Sequence, residues 1–213
     1  MRLFLTFEGG EGSGKTTQIH LLAEALKKRG FPCLLTREPG GTEIGAEIRR
    51  ILLDGKNHRL SPLSELMLYA ADRAQHIEET IAPALAENRI VLCDRFTDAT
   101  VAYQGFGRHL DLKLITELNQ LATGGLKPNR TFLLDLPVEI GLARATARLE
   151  RQKSSEGRFE AEALAFHEKV RQGYLRLARE EPERFRVFDA TMEIEALHGK
   201  ILEEIESLGI KKP

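Results

Sequence analysis

The chain has 213 residues, with 31 lysines and arginines against 32 aspartates and glutamates, a formal net charge of −1 at pH 7. That length suits one good core and is short for two, so a single domain spanning 1–213 is expected. The balanced charge removes the bulk basic bias that favours nucleic acid or membrane surfaces, so neither is an expected partner and any anion recognition must come from local placement.

In chain order, Leu3 to Phe7 reads as a short buried strand. Gly9-Gly10-Glu11-Gly12-Ser13-Gly14-Lys15-Thr16 then fills the G-x-x-x-x-G-K-[ST] pattern. Ile19, Leu22, Ala23 and Leu26 follow at helical spacing, on a helix near Thr16 to Arg29. Strand, glycine loop and helix start in that order have a mechanism: unpaired N–H groups and the helix dipole attract an anion, and glycines let the backbone wrap it. Lys15 is expected to reach the β and γ phosphates of a nucleoside triphosphate, Thr16 to offer a hydroxyl to Mg²⁺, and Thr17 to add a phosphate contact. A glycine-rich turn capping an ordinary helix is the bland alternative.

Further strands are expected at Cys33 to Thr36, Ile90 to Cys93, Thr131 to Leu136 and Arg186 to Phe188. Helices are expected near Glu43 to Leu53, Leu63 to Glu87, Leu112 to Ala122, Val138 to Leu149, Ala161 to Glu180 and Glu193 to Leu208. Apolar segments alternating with helical patterns predict an α/β fold, a five-stranded parallel sheet covered by helices on both faces. Cys33 and Cys93 lie inside apolar runs without metal-ligand spacing and read as buried free thiols. No apolar run approaches the roughly 18 residues of a membrane span, and the first residues lead straight into a strand, so a cytoplasmic protein is expected.

Three features point to a second anion beside the first. Asp94 follows four apolar residues, at the carboxyl end of a strand, where open α/β sheets bind ligands; it either holds Mg²⁺ or caps the next helix. Arg95 follows at once, suited to clamp an anion. On the long helix Leu66, Tyr69, Ala70, Arg73 and Ile77 share a stripe, which places an arginine on a face turned toward the core. Either Arg73 sits in a structural pair with a carboxylate, or Tyr69 and Arg73 line a pocket for a base. The turn Thr36 to Thr42 falls on the same rim, with Arg49 on the next helix as a candidate phosphate clamp. The polar run Glu150 to Arg158 reads as an exposed segment, a lid over the triphosphate or a plain connector.

With these motifs in place, the chain resembles the bacterial thymidylate kinases over essentially its whole length. The matching stretches are Phe7-Glu8-Gly9 through Thr17, Arg37-Glu38-Pro39-Gly40-Gly41-Thr42, Tyr69-Ala70-Ala71-Asp72-Arg73, Asp94-Arg95-Phe96, Ala102-Tyr103-Gln104-Gly105 and Asp189-Ala190-Thr191. The resemblance implies a P-loop NTPase-type three-layer sandwich with a lid segment at about 148–160. It further implies a homodimer, and transfer of the γ-phosphoryl of ATP to dTMP with Mg²⁺. By position it implies an ATP site of Gly10, Glu11, Gly12, Ser13, Gly14, Lys15, Thr16, Thr17, Arg144, Asp189, Ala190 and Thr191. The implied dTMP site holds Glu11, Glu38, Pro39, Arg49, Tyr69 (stacking on thymine), Arg73 (donating to O4), Arg95, Thr100, Tyr103 and Gln104. Thr16 and Asp94 fall on the metal side. Lys15 and Arg95 are implied as catalytic, and because the loop carries Gly12 where some members have an arginine, the lid must supply one more: Arg148, Arg151 or Arg158. Gly157 and Ala99 depart from the family pattern, the latter removing a serine hydroxyl that Thr97 or Thr100 would have to replace.

Overall fold

The computed structural model describes residues 2–210. Five strands form one parallel sheet in the order β2-β3-β1-β4-β5: β1 (Leu3–Glu8), β2 (Cys33–Arg37), β3 (Ile90–Asp94), β4 (Arg130–Asp135) and β5 (Phe185–Asp189). The helices are α1 (Lys15–Lys28), α2 (Glu43–Leu53), α3 (Pro62–His76), α4 (Ala82–Ala86), α5 (Thr97–Thr100), α6 (Leu112–Thr123), α7 (Val138–Gln152), α8 (Leu164–Glu180) and α9 (Ile194–Ser207).

Because successive strand residues face opposite sides, the sheet carries two apolar surfaces. Leu3, Leu5 and Phe7 pack with Ile90, Leu92, Phe132 and Leu134 under Ile19, Leu22 and Leu26 of α1 and Leu197, Ile201 and Ile205 of α9. On the other side Phe4, Val91 and Cys93 meet Ile81, Leu85 and Phe96, while Leu133 meets Val170 and Tyr174 of α8. Three layers result. Local signals set the helix starts: the Thr42 side chain accepts from the Gly45 N–H, Ser61 caps α3 ahead of Pro62, and Asp111 caps α6, which stops at left-handed Gly124.

Two segments differ from the expected pattern. The Leu63 to Glu87 helix is broken by a wide π turn at Ile77–Ile81, ahead of α4 with its proline. A short helix and a second π turn, Val101–Gly107, fill a stretch with no periodic pattern, where Gly107 abuts Phe166 and Gly173 abuts Phe106. Cys93 is buried as expected, whereas Cys33 is only half-buried.

Candidate active site

The register brings the carboxyl ends of the three adjoining strands β2, β3 and β1 to one rim. Phe7 lies opposite Asp94 and Asp94 opposite Arg37, and the ladder continues past the strands: Arg95 N–H donates to Phe7 O at 3.0 Å and Glu38 N–H to Asp94 O at 2.9 Å. The glycine loop, Asp94-Arg95 and Glu38-Pro39 are thereby held side by side. They open into a cavity of about 920 Å³. Its walls include every residue anticipated from the sequence for the ATP, dTMP, metal and catalytic sites except Gly10, which lines a small cleft behind the loop, Asp189 and Arg158; Thr97 also stands outside it.

At one end, Gly14 in left-handed conformation starts α1, and Lys15 Nζ donates to Gly9 O at 3.0 Å, Gly10 O at 2.8 Å and Ser13 Oγ at 3.2 Å. Burial and then the nearby Arg95 charge lower the Lys15 ammonium to about 8. Thr16 Oγ1 donates to Asp94 Oδ2 at 3.0 Å. Gly12 is also left-handed, and a Cβ there would run into the backbone carbonyl of Gly141 on α7, while a Cβ on Gly141 would strike Glu11 O. No side chain fits at position 12, so an arginine cannot stand there. Arg144 reaches Ala190 O at 3.5 Å, and Asp189 accepts from Thr191 N–H at 2.9 Å and from its hydroxyl at 2.6 Å, shaping the turn whose Ala190 and Thr191 face the cavity.

At the other end Arg73 sits in a structural pair with a carboxylate and is also part of the cavity wall. Its guanidinium is buried and paired, Nε to Glu38 Oε2 at 2.8 Å, Nη1 to Asn119 Oδ1 at 2.8 Å and Nη2 to Phe96 O at 3.1 Å, yet the residue still lines the cavity. Three of its five N–H bonds are thus engaged and two remain. His76 steadies the other oxygen of Glu38 at 3.0 Å while contacting Thr36 Oγ1 at 2.7 Å. Nδ1 thus faces Glu38 and Nε2 faces the Thr36 hydroxyl. Tyr69, its phenol pushed up by burial and by Glu65, forms an adjacent wall with Thr100 and Gln104. Gln104 donates to Glu65 at 2.7 Å, and Thr100 Oγ1 is buried without a hydrogen-bond partner. Thr100 therefore lines the cavity beside Ala99 with its hydroxyl buried, whereas Thr97 does not line it.

Between the two ends, Arg95 adopts φ +71° and spans Glu11 (Nη2 to Oε1, 3.0 Å) and Tyr174 (Nη1 to the hydroxyl, 3.2 Å), with its guanidinium 4.8 Å from the Tyr103 ring centre. Tyr103 also donates to Glu11 at 2.6 Å. Burial pushes the Glu11 carboxyl up, but Arg95 and Lys15 outweigh it and hold it at about 2. Arg49 donates through Nε and Nη2 to both oxygens of Glu156 at 3.0 and 2.7 Å, and through Nη1 to Pro39 O at 3.0 Å. Of the three candidate arginines after α7's midpoint, Arg148 and Arg151 line the cavity. Arg158 does not: it is buried against the Leu52 carbonyl and Glu65, 2.7 Å from the latter, over the Phe159 ring. Sequence reasoning missed Arg37 as a site residue, whose exposed guanidinium lines the cavity near Arg49, and Asn119 and Tyr174, which hold Arg73 and Arg95 from segments without any motif; it gave no role to Glu8, which accepts from Tyr174.

The family model described as thymidylate kinase matches residues 7–201. The chain is 61% identical over 191 residues to the thymidylate kinase of Geotalea daltonii, covering 89% of each chain. To that of Geobacter sulfurreducens it is 57% identical over 197 residues, 92% of each. The structure of thymidylate kinase from Ehrlichia chaffeensis superposes with a TM-score of 0.77 at 35% identity, covering 96% of this chain and 98% of that one. With an extended family match and relatives of this identity covering nearly all of it, the chain belongs to the thymidylate kinase family.

Proposed function

We infer that the protein transfers the γ-phosphoryl group of ATP to dTMP, giving ADP and dTDP, a step toward dTTP. The observation that carries this reading is one continuous cavity with a phosphate loop and Lys15 at one end and Tyr69, Arg73 and an unpartnered Thr100 hydroxyl at the other. The loop amides and Lys15 hold the donor phosphates, with Arg144, Ala190 and Thr191 around the adenine and Glu11, Gly12, Ser13, Gly14 and Thr17 completing the loop. Asp189 acts through the turn it braces. Tyr69 stacks on thymine and the two unengaged N–H bonds of Arg73 face its O4. A cytosine amino group there would set donor against donor, so dCMP is disfavoured. Thr100 and Gln104 meet the base edge, Tyr103 the sugar, and Arg49, Arg95 and the Glu38-Pro39 turn the acceptor phosphate.

An oxygen of the dTMP phosphate attacks the γ-phosphorus as the bond to the β–γ bridging oxygen breaks. That oxygen is already anionic, so no strong base is required, and the chain's contribution is alignment and charge stabilisation by Lys15, Arg95 and a lid arginine. Thr16 and Asp94 offer a hydroxyl and a carboxylate oxygen in contact, a hard-oxygen pair that fits Mg²⁺, an ion that takes few protein ligands beside phosphate. When bound there it would neutralise charge on the transferred group. Among the described residues no helix is long and apolar enough to cross a membrane, in keeping with a cytoplasmic enzyme. The chain works as one domain with a lid at 148–160. Exposed Ile44 and Ile51 on α2 and Leu63 and Met67 on the adjoining α3 support a homodimer.

Competing initial rates with ATP on dTMP, dUMP, dCMP and dGMP test the assignment. Preference for another monophosphate would overturn it. Formation of ADP strictly on addition of dTMP excludes a nucleotide-binding switch without transfer.

A further inference from the structure

The motif Phe7-Glu8-Gly9 contains a carboxyl that phosphoryl transfer leaves without a task. Glu8 closes β1 directly ahead of the phosphate loop and is fully buried. Its oxygens are taken up by neutral donors: Oε1 accepts the Phe96 N–H at 2.7 Å and Oε2 the Tyr174 hydroxyl at 2.8 Å. Burial and then Asp98 push its carboxyl up to about 8. A hydrophobe of similar size would avoid the cost of putting an acid in the core. Departures of this kind from local rules concentrate at functional sites.

Both partners of Glu8 hold an acceptor-side arginine. Phe96, whose N–H is fixed by Glu8, accepts Arg73 Nη2 on its carbonyl at 3.1 Å. Tyr174, whose hydroxyl is fixed by Glu8, accepts Arg95 Nη1 at 3.2 Å. Between them Arg95 occupies φ +71°, a left-handed conformation costly to a side-chain-bearing residue, which persists where its surroundings dictate it. We propose that Glu8 is a positioning residue for the acceptor site, fixing the Arg95-Phe96 bend with one oxygen and the Arg95 guanidinium, through Tyr174, with the other. It thereby sets the distance between the group that reads the base and the group that grips the phosphate. This rests on the acceptor-site reading above.

Two arms of one carboxyl can be cut separately. Tyr174→Phe removes only the Arg95 arm: kcat/KM for dTMP is expected to fall ten- to a hundredfold, with the dTMP-over-dCMP ratio within twofold of wild type. Glu8→Met removes both arms, and the ratio is expected to collapse at least tenfold along with the rate. Glu8→Gln keeps an acceptor for the Phe96 N–H and is expected to restore the ratio. ATP dissociation constants should stay within about threefold throughout. The inference is overturned if Tyr174→Phe and Glu8→Met leave kcat/KM unchanged, if losses fall equally on ATP and dTMP, or if Glu8→Gln fails to restore selectivity. Should Glu8→Met not fold, Tyr174→Phe and Glu8→Gln decide alone. Wild-type protein inactive on dTMP would instead refute the assigned reaction, so the two failures are distinct.

Discussion

Glu156 occupies the guanidinium assigned to the acceptor phosphate, so Glu156→Gln should tighten dTMP binding. Its carboxylate takes both Arg49 Nε and Nη2, at 3.0 and 2.7 Å, and the Arg49 contact holds the Glu156 carboxyl below its ordinary range. A phosphate arriving at Arg49 must displace an anion already seated in the fork. Two unit charges about 4 Å apart interact by about 1 kcal/mol in water and about 4 kcal/mol near a protein surface. The Glu156 side chain is 39% exposed and the Arg49 side chain 20%, so screening and side-chain entropy bring the net value toward the lower figure. About 1 kcal/mol corresponds to roughly a fivefold change in apparent affinity. Glutamine keeps the shape and one acceptor but loses the charge. Calorimetric titration of dTMP should therefore show about fivefold tighter binding, and the gap should narrow as salt rises. Unchanged or weaker dTMP binding would refute the competition.

Arg73→Ala should raise KM for dTMP at least a hundredfold and leave ATP binding within about twofold; equal losses would contradict its acceptor-side role. It should also destabilise the fold by about 3 kcal/mol or more, since Glu38 loses its buried partner. Among single lid substitutions, Arg148→Ala or Arg151→Ala should lower kcat more than tenfold, about 1.4 kcal/mol of barrier, whereas Arg158→Ala should lower Tm by detaching Glu65; if neither of the first two reaches tenfold, the lid does not supply the arginine. Asp72 is buried with one oxygen unpartnered, and burial and Glu38 raise its carboxyl to about 6 from 3.8. The folded state then binds the extra proton between those values, so stability falls as pH rises from about 4 to 6, by about 3 kcal/mol, and is flat above. Thermal melts of Asp72→Asn should lack that slope; a parallel slope would remove Asp72 as its source. Sedimentation should show Met67→Glu as a monomer if α2 and α3 pair across a dimer, and an unshifted mass would exclude that face.

The sheet was legible because buried parallel strands are apolar runs: each expected strand agrees with the observed one within a residue or so at either end, and the loop after β1 is a motif with a mechanism. Less was legible wherever a partner lies far along the chain. Nothing near Arg158 reveals that Glu65 and the Leu52 carbonyl claim its guanidinium, so three arginines read alike although only Arg148 and Arg151 reach the cavity. Asn119 and Tyr174 lie on helices with no site signal in the sequence. The stretch Thr97–Gly107 has no periodicity because contacts with α8, not an amphipathic face, hold it.

The contact between Gly12 and Gly141 has a consequence for the whole reaction. With loop and α7 backbone meeting at Gly12, the arginine of the proposed reaction cannot stand at that position, and Arg148 and Arg151 lie on α7 itself, which leads directly into the segment bearing Glu156. One stretch of chain therefore carries the positive charge needed at the donor phosphates and the negative charge that sits on Arg49. On the proposed reaction, dTMP at Arg49 removes the Glu156 contact, while Ser155 O still accepts from the Gly55 N–H and Arg158 still holds the Leu52 carbonyl and Glu65. The proposed reaction then predicts that electrostatics favour Arg148 and Arg151 over the triphosphate, so that the acceptor's arrival biases the lid toward the donor phosphates. That coupling predicts that Glu156→Gln, with the tether already weakened, hydrolyses ATP in the absence of dTMP faster than wild type, measurable as ADP release; equal background rates would show that lid placement does not depend on Arg49.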